Sequence, residues 1–408
     1  MSKELEGKDV SLWVATTHET DYPVLKNDET IYDAAIVGGG ITGIAQAYYL
    51  QQKGLKVVLI EKGHLVEWTT GGTTAKLSSQ HYLIYDYLIK HHGEKTAQAF
   101  ANANQQGIDR VEELSRELGI DSDFARRDAY VYSQTNDKID AMKAEVVAAK
   151  KLGLPATLET TTDLPFDVTA AVKFTNQAQF HPRKFLLGLA KHFVANGGVI
   201  YEQTEATDIV PGTPNVLKTK QGEIKAKNVI QASGEPFWKN EIFDGFMWVK
   251  MSYAIAVKLK DASSYPKSMY ITTDHPLRTI RSAKYEDGQV MIFGGESHEY
   301  DEASFDADLR HQNLIDDVRK KFDVDKVLFR WLAGDYMPYD RMPYIGALPG
   351  YPTIFAITGY RAWGLAWAMS ATAAIANEIA GQPDDWVKPF SLDRLATPIK
   401  QSDKVQGF

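Results

Sequence analysis

Three glycines at a fixed spacing and one acid further along the chain give the first indication of chemistry. Gly38, Gly40 and Gly43 have the G-x-G-x-x-G spacing, and Glu61 follows about twenty residues later. The first glycine allows a sharp turn, the second lets a pyrophosphate approach bare backbone, and the third lets a helix lie close to a sheet. A carboxylate at the position of Glu61 can accept hydrogen bonds from the ribose of an adenine dinucleotide, and it disfavours the 2′-phosphate of NADP.

These residues need a strand, a helix and a second strand to hold them in place. Residues 34–37 and 57–60 are short apolar runs of the kind that buried parallel strands have. A helix that begins near Ile41 would direct its free N–H groups and its positive end at a phosphate. Because strand, turn, helix, strand and acid follow in order, the fingerprint predicts nucleotide binding, with Thr42 and Lys62 in the same site.

Two further stretches are predicted to reach the same ligand. The loop at residues 69–81, TTGGTTAKLSSQH, is dense in small hydroxyl residues and glycine, which offer hydrogen bonds to a polar ligand and let backbone approach it. Near the C-terminus, an apolar run at 353–357 leads into a glycine-containing turn at 358–364 and then an Ala-rich helix. This predicts a second helix N-terminus that faces the ligand. The run at 228–234 ends in small residues, which leave room at the end of a strand.

Composition excludes several classes of function. The chain has 408 residues, a formal net charge of −8 and no cysteine. The acidic balance disfavours nucleic acid and anionic membranes as partners. Without cysteine there are no disulfides, no cysteinyl iron–sulfur ligands and no cysteinyl flavin link, and no metal site is predicted. No signal peptide or membrane-spanning run is found, since the most apolar segment, 362–380, contains Asn377 and Glu378. We therefore expect a cytoplasmic protein.

The pattern of elements predicts an α/β fold with two domains. The strand at 171–174, the helix from Lys184 and the strand at 199–201 are interpreted as part of a doubly wound parallel sheet. Residues 210–227 suggest an antiparallel meander, and Gly334-Asp335-Tyr336 a polar turn. We predict a discontinuous Rossmann-like dinucleotide-binding domain and an α+β substrate domain on a mixed, mainly antiparallel sheet. The predicted ranges are 1–90, 171–235 and 329–408 for the first domain, and 91–170 and 236–328 for the second.

Taken together, these motifs resemble the FAD-dependent D-amino-acid-oxidase superfamily. The likeness rests on VGGGITG, Glu61, the loop at 69–81, the strand end QASG and the turn ITGYRAWG, and it covers nearly the whole chain. Within the superfamily, the chain is similar to bacterial flavoproteins that carry a Rieske iron–sulfur domain. A Rieske centre needs two Cys and two His, so these 408 residues cannot hold one. We therefore expect electrons to leave the reduced flavin for dioxygen or for another protein.

The resemblance assigns FAD as cofactor and implies roles for individual residues. Gly38, Gly40, Gly43 and Glu61 would hold the ADP part. The remaining implied contacts are with the pyrophosphate and ribityl chain (Thr73, Thr74, Ala75, Lys76), the adenine (Ala206) and the pyrimidine end of the isoalloxazine (Gly359, Tyr360, Arg361, Gly364), and Ser233 and Gly234 are implied near the cofactor. Backbone N–H groups at that last turn would stabilise negative charge on reduced flavin.

The resemblance also implies hydride removal from the carbon next to an amine nitrogen, so the expected substrate is a small amine or amino acid. Arg278 and Arg281 are the expected carboxylate anchors, because a guanidinium binds a carboxylate in two places. His298, Tyr336 and Trp363, together with Tyr253, are expected at the pocket wall. Two alternatives stay open. One is a flavin-binding electron-transfer subunit that needs a partner protein. The other is a pyridine-nucleotide-dependent flavin reductase, although no second G-x-G-x-x-G is present.

Overall fold

Two large sheets, connected by helices, make up the chain. The computed structural model describes residues 5–302 and 305–397. The smaller sheet is mainly parallel and the larger one is mixed and mainly antiparallel. The predicted fold class, α/β with a parallel dinucleotide-type sheet and a second mixed sheet, is confirmed.

The smaller sheet has eight strands, and its centre is the predicted nucleotide-binding unit. Its principal order is β17 (Tyr344–Leu348), β18 (Tyr351–Thr358), β11 (Gly222–Gln231), β2 (Ile31–Val37), β3 (Val57–Ile60) and β8 (Val199–Tyr201), with β10 (Asn215–Thr219) and β9 (Ala206–Val210) continuing from β11 as an antiparallel meander. The strands from β18 to β8 run parallel, which brings their carboxyl ends to one edge.

The larger sheet has ten strands and forms the other side of the molecule. Its order is β1 (Lys8–Asp9), β16 (Val324–Pro338), β12 (Met247–Leu259), β15 (Gly288–Glu299), β14 (Arg278–Tyr285), β13 (Met269–Thr272), β5 (Ala125–Ser133), β7 (Ala170–Gln179) and β4 (Lys76–Leu77), with β6 (Ala156–Glu159) also paired to β7. The strands predicted between residues 236 and 330 all lie here.

The α-helices of the described residues connect and cover the sheets. They are α1 (Leu12–Ala15), α2 (Ile41–Gln52), α3 (Tyr85–His92), α4 (Glu94–Glu117), α5 (Ile139–Lys151), α6 (Pro182–Ala195), α7 (Ala307–Lys321) and α8 (Gly364–Ile379). Short 3-10 helices occupy Asn240–Phe243, Ala262–Ser264, Asp385–Phe390 and Leu392–Ala396.

The helix α8 is buried because its small residues allow close packing. Its first three turns, from Leu365 to Ala376, are almost wholly buried against α2 and α4. A Cβ at Gly107 of α4 would overlap the carbonyl oxygen of Ala366, so only glycine permits this approach. Among the residues that the structure describes, no helix combines the length and the apolarity that crossing a bilayer requires.

Two expectations about strand membership are wrong. Residues 171–174 belong to β7, which pairs antiparallel with β5 and β6 in the ten-stranded sheet rather than in the parallel one. Gly334-Asp335-Tyr336 is not a turn, because β16 continues through it opposite residues 249–251 of β12. In consequence, the predicted boundaries at 170/171 and 328/329 do not separate the sheets. The division of the chain into two domains stays a prediction.

Candidate functional site

Three chain segments meet at the carboxyl edge of the parallel sheet. They follow the adjacent strands β2, β11 and β18, and they contain Gly38 and Gly40, Ser233 and Gly234, and the turn at 359–364. Because neighbouring strands lie about 4.8 Å apart, the outer two segments are separated by only about 10 Å. All three line one cavity of about 830 Å³.

Two helices begin at this cavity without the usual stabilisation of their N-termini. In the helices α2 and α8, the N-cap residue makes no side-chain hydrogen bond and the first turn has no acid. Every other α-helix of the described residues has one or the other. The hydroxyl of Thr70 accepts the Ile41 N–H at 3.2 Å, but the N-terminal turn of α2 still faces the cavity. Both N-termini therefore offer N–H groups and positive potential to an anionic ligand.

The glycine turn before α2 is too tight for any side chain. Gly38 has a φ of +118°, and a Cβ there would lie 2.5 Å from the carbonyl oxygen of Ala232. A Cβ at Gly43 would overlap the carbonyl oxygen of Gly38. Gly43 therefore does not line the cavity but lets the helix close onto the turn, which is the role that its spacing predicted.

A fixed carboxylate stands at one end of the cavity. Glu61 follows β3, is 7 % exposed, and accepts the N–H groups of Gly39 at 2.6 Å and Gly63 at 2.9 Å. Lys62 and Ala206 line the cavity beside it, and the ammonium of Lys62 lies 4.6 Å from the ring centre of Trp68. This end has the acceptor that a ribose requires.

The hydroxyl-rich loop contributes most, but not all, of its predicted residues. Thr73, Thr74 and Lys76 line the cavity. Ala75 does not, because its backbone has a φ of +57° and its carbonyl oxygen turns away to accept a hydrogen bond from the Arg281 guanidinium. Ala75 positions its neighbours instead of facing a ligand.

The last predicted turn joins the other two through side chains. Gly359, Tyr360, Arg361 and Gly364 all line the cavity. The hydroxyls of Thr42 and Tyr360 lie 3.4 Å apart, and Thr358 donates a hydrogen bond to the Gly234 carbonyl. The three segments are thus held in one arrangement around the space between them.

The cavity continues onto the ten-stranded sheet, where sequence reasoning found little. This second compartment is lined by residues of β12 to β16 and of the segment before β14, among them Met251, Tyr253, Ile271, Leu277, Thr279 and Gly295. Of these six residues only Tyr253 was expected, and Tyr336 of β16, which was also expected, lines the cavity as well. Gly295 lies within β15, and a Cβ there would stand 2.8 Å from the Arg278 guanidinium. Two adjacent glycines inside a strand signal a close approach of this kind, and that signal could have located this wall.

Arg278, an expected carboxylate anchor, and His298, expected at the pocket wall, lie outside the cavity. Arg278 is ion-paired with Glu296 and Asp317, each at 2.8 Å, and does not line the cavity. The ring of His298 binds the Tyr253 hydroxyl at 3.1 Å and the Glu299 carbonyl at 2.7 Å, away from the cavity. Arg281, the other expected anchor, does not line the cavity either.

Tyr336 and Trp363 do reach the cavity. The Tyr336 hydroxyl donates to Glu235 at 3.0 Å, and burial raises the pKa of this phenol far above its ordinary value. The Trp363 ring stacks on His81 with centres 4.9 Å apart. Burial lowers the pKa of His81 to about 3, so this imidazole is neutral at physiological pH. Both aromatic side chains are held rigidly, which suits a wall rather than a proton donor.

Two buried cations, Lys76 and Arg361, also line the cavity. Burial, and then the nearby Arg281, lowers the pKa of the Lys76 ammonium to about 7. Burial likewise lowers the pKa of Arg361 to about 9. Asp335 faces the buried Lys250 across the two strands, and burial raises the pKa of the Asp335 carboxyl. Burial therefore disfavours the charged forms of Lys76 and Arg361, while the rest of the cavity lining has more acidic than basic side chains.

Comparison with known proteins gives consistent results. Residues 33–378 match the family described as FAD dependent oxidoreductase. The chain is 31 % identical over 386 residues to YhfW of Bacillus subtilis (strain 168), named as a Rieske 2Fe-2S iron-sulfur protein; the match covers 94 % of this chain and 75 % of that protein. It is 24 % identical to gamma-glutamylputrescine oxidoreductase of Escherichia coli (strain K12), over 88 % and 86 % of the two chains. The crystal structure of glycine oxidase from Geobacillus kaustophilus shares the fold, with a TM-score of 0.75 at 19 % identity, over 88 % and 98 % of the two chains.

Proposed function

Because the chain belongs to the family of FAD dependent oxidoreductases, we propose that it oxidises a C–N bond in a small amine or amino acid. The protein is an FAD-dependent oxidoreductase of the amine and amino-acid oxidase type. One observation supports the proposal that it oxidises a C–N bond. A single cavity of about 830 Å³ connects the dinucleotide-type turn to the apolar compartment on the ten-stranded sheet. A substrate there would lie beside the far end of a cofactor that begins at Glu61.

The residues present fit FAD, the cofactor of this family. The turn at Gly38 excludes side chains where a pyrophosphate would lie, and α2 presents its uncapped N-terminus there. Glu61 is placed for the ribose hydroxyls, and the uncapped N-terminus of α8 is placed for a second region of negative charge. A ligand with one negatively charged end would satisfy only one of the two helices.

When bound, FAD would accept the two electrons and the hydrogen that leave the carbon next to nitrogen. The chain's own residues would orient the substrate and exclude water. Ile271 and Leu277 supply apolar surface, while the rigid rings of Tyr336 and Trp363 limit the space over the turn at 359–364. The positive end of α8 would stabilise negative charge that develops at that turn. No general base is required if the amine arrives neutral.

A second candidate, an electron-transfer subunit, is supported by the name of the relative YhfW. The 408 residues contain no cysteine and so no cysteinyl cluster ligands. In that case the acceptor would be a separate iron–sulfur protein, and the chain would not reduce its own flavin with amines. The third candidate, a pyridine-nucleotide-dependent flavin reductase, has less support. The sequence has a dinucleotide fingerprint at residues 38–43 but no second G-x-G-x-x-G.

The decisive experiment is anaerobic mixing of the purified yellow protein with separate panels of amines, amino acids and NAD(P)H, followed by flavin absorbance. We expect bleaching by members of the first two panels and none by NAD(P)H. Oxygen is then readmitted to ask whether dioxygen alone restores the oxidised spectrum or a protein acceptor is required. Bleaching by NAD(P)H alone would establish the reductase instead, and bleaching by none of the panels would favour the electron-transfer subunit.

A further inference from the structure

Lys76 is a buried cation on the cavity wall whose charge is not balanced by a nearby acid. Its side chain is 8 % exposed, and its ammonium donates to the hydroxyls of Thr74, at 3.2 Å, and Thr279. Within residues 5–302 and 305–397, no carboxylate lies within 4.0 Å of it. Hydroxyl oxygens are weaker partners than a carboxylate for an ammonium removed from water.

Two other buried cations of this region are better compensated, since Arg278 has two carboxylates and Lys250 faces Asp335. Arg281 is also buried, but it donates to the carbonyl oxygens of Ala75 and Ser282 and does not line the cavity. The nearest charged group to act on Lys76 is Arg281, which has the same sign and makes the local excess of positive charge larger. A buried charge without a counter-charge is unfavourable, so an anionic ligand would gain much of its affinity by balancing Lys76.

The position of Lys76 favours the substrate over the cofactor as the source of that anion. Lys76 begins β4, which pairs with β7 in the ten-stranded sheet, and its partner Thr279 belongs to β14 of the same sheet. Thr279 lines the second compartment together with Tyr253 and Gly295. The two helix N-termini that face the cavity, those of α2 and α8, are by contrast on the edge of the other sheet.

We propose that Lys76, with Thr279 beside it, binds the carboxylate of an amino-acid substrate. The inference rests on the proposed oxidation of C–N bonds and narrows its substrates to amino acids in preference to amines without a carboxylate. It replaces Arg278 and Arg281 as the expected anchors, because Arg278 is already neutralised and Arg281 is directed at the Ala75 carbonyl.

The test measures binding as well as turnover. Dissociation constants for glycine, alanine, methylamine and ethylamine, and for acetate and propanoate as unreactive carboxylates, are obtained from perturbation of the flavin spectrum. Lys76→Met should weaken binding of every carboxylate about 10- to 100-fold, the range of a hydrogen bond between charged groups, and leave amine binding unchanged. Lys76→Arg should restore part of the loss. Lys258→Met, an exposed lysine on β12, is the matched control.

A pH series adds a readout that a structural role would not produce. Since the pKa of Lys76 is lowered to about 7, carboxylate affinity should fall by up to about tenfold per pH unit above that value. The groups that face Lys76 are Thr74, Thr279 and Arg281, and only Arg281 titrates, at higher pH. Asp335, elsewhere on the cavity wall, titrates below this range. The fall should be absent in Lys76→Met.

Three outcomes would overturn the proposal. They are equal losses for amines and carboxylates, unchanged carboxylate affinity in Lys76→Met, and loss of flavin content in that variant with intact carboxylate binding by the remaining holoprotein. The last would place Lys76 at the cofactor. Failure of the proposed function is distinguishable, because there the wild-type flavin would not be reduced by any amine or amino acid even if acetate still bound through Lys76.

Discussion

The indole Nε1 of Trp13 donates a 2.6 Å hydrogen bond to the carbonyl oxygen of Thr73. The two residues are sixty positions apart, and the bond attaches the N-terminal arm, residues 5–30 with α1, to the loop that lines the cavity. Trp13 is 1 % exposed, meets the His181 ring edge-on at 4.9 Å and lies 5.3 Å from the Arg281 guanidinium. The arm is therefore part of the site's support and not a surface extension.

Trp13→Phe should lower the free energy of unfolding and also increase the rate of flavin release. The variant keeps an aromatic ring but leaves the half-buried Thr73 carbonyl without its donor, which costs about 1 kcal/mol. Urea unfolding followed by far-UV circular dichroism measures the first effect, and the rate of flavin release measures the second. Trp248→Phe, a change at a half-buried position of β12, is the control. Wild-type flavin release in Trp13→Phe would contradict a link between the arm and the site.

Gly43→Ala should abolish most flavin binding, although residue 43 does not line the cavity. The added methyl group would overlap the Gly38 carbonyl oxygen and push α2 away from the turn. Overpacking of this kind costs about 1–3 kcal/mol and displaces the N–H groups that face the cavity. The flavin-to-protein absorbance ratio after reconstitution is the measurement. Gly288→Ala, where a Cβ meets nothing within 4 Å, should retain full loading.

Arg278→Met should damage stability far more than substrate affinity. Removing one partner of a buried ion pair leaves Glu296 and Asp317 uncompensated, at about 3–5 kcal/mol. Arg319 lies on the same helix as Asp317 and forms an exposed ion pair with Glu6. Arg319→Met breaks that pair and should lower the free energy of unfolding by at most about 1 kcal/mol. Urea titrations compare the two variants. If Arg278→Met unfolds like the wild type but binds amino acids poorly, Arg278 is a substrate anchor after all.

Glu145 should make the protein less stable as pH rises from acid to neutral. Burial raises the pKa of its carboxyl from 4.5 to about 7, although the N–H groups of Ile84, Tyr85 and Asp86 bonded to it act in the opposite direction. Between those two values the unfolded chain releases the proton and the folded chain keeps it. The contribution to folding free energy is therefore present at low pH and is lost as pH rises, by about 3 kcal/mol in all.

Measurements of the free energy of unfolding at about pH 5 and about pH 8 test this direction, because the predicted loss of stability occurs between those two pH values. The stability advantage of the wild type over Glu145→Gln should shrink at the higher pH, whereas Glu223→Gln, at an exposed position, should track the wild type. An advantage that grows with pH would mean that the three N–H groups hold the carboxyl ionised.

Local patterns were sufficient for the nucleotide-binding half of the site. The spacing of Gly38, Gly40 and Gly43 specifies the turn, because a side chain at these positions would clash or would prevent close packing. The apolar runs on either side specify the strands. The turn at 359–364 was recognisable for the same reason. The helix predicted from Lys184 is α6, and His181 caps it by accepting the Lys184 N–H.

Only the tertiary structure determined which residues of the ten-stranded sheet line the cavity. Strands β7 and β16 have the same local signals as strands of the parallel sheet, but their partners lie far away in sequence, so sheet membership could not be deduced. The same holds for charge. An arginine in a strand can anchor a ligand or neutralise an acid, and the carboxylates beside Arg278 and missing beside Lys76 are brought there, or kept away, by long-range packing. Residue type and spacing determine which interactions a side chain can make. Its neighbours in the tertiary structure determine which of those interactions are still available to a ligand.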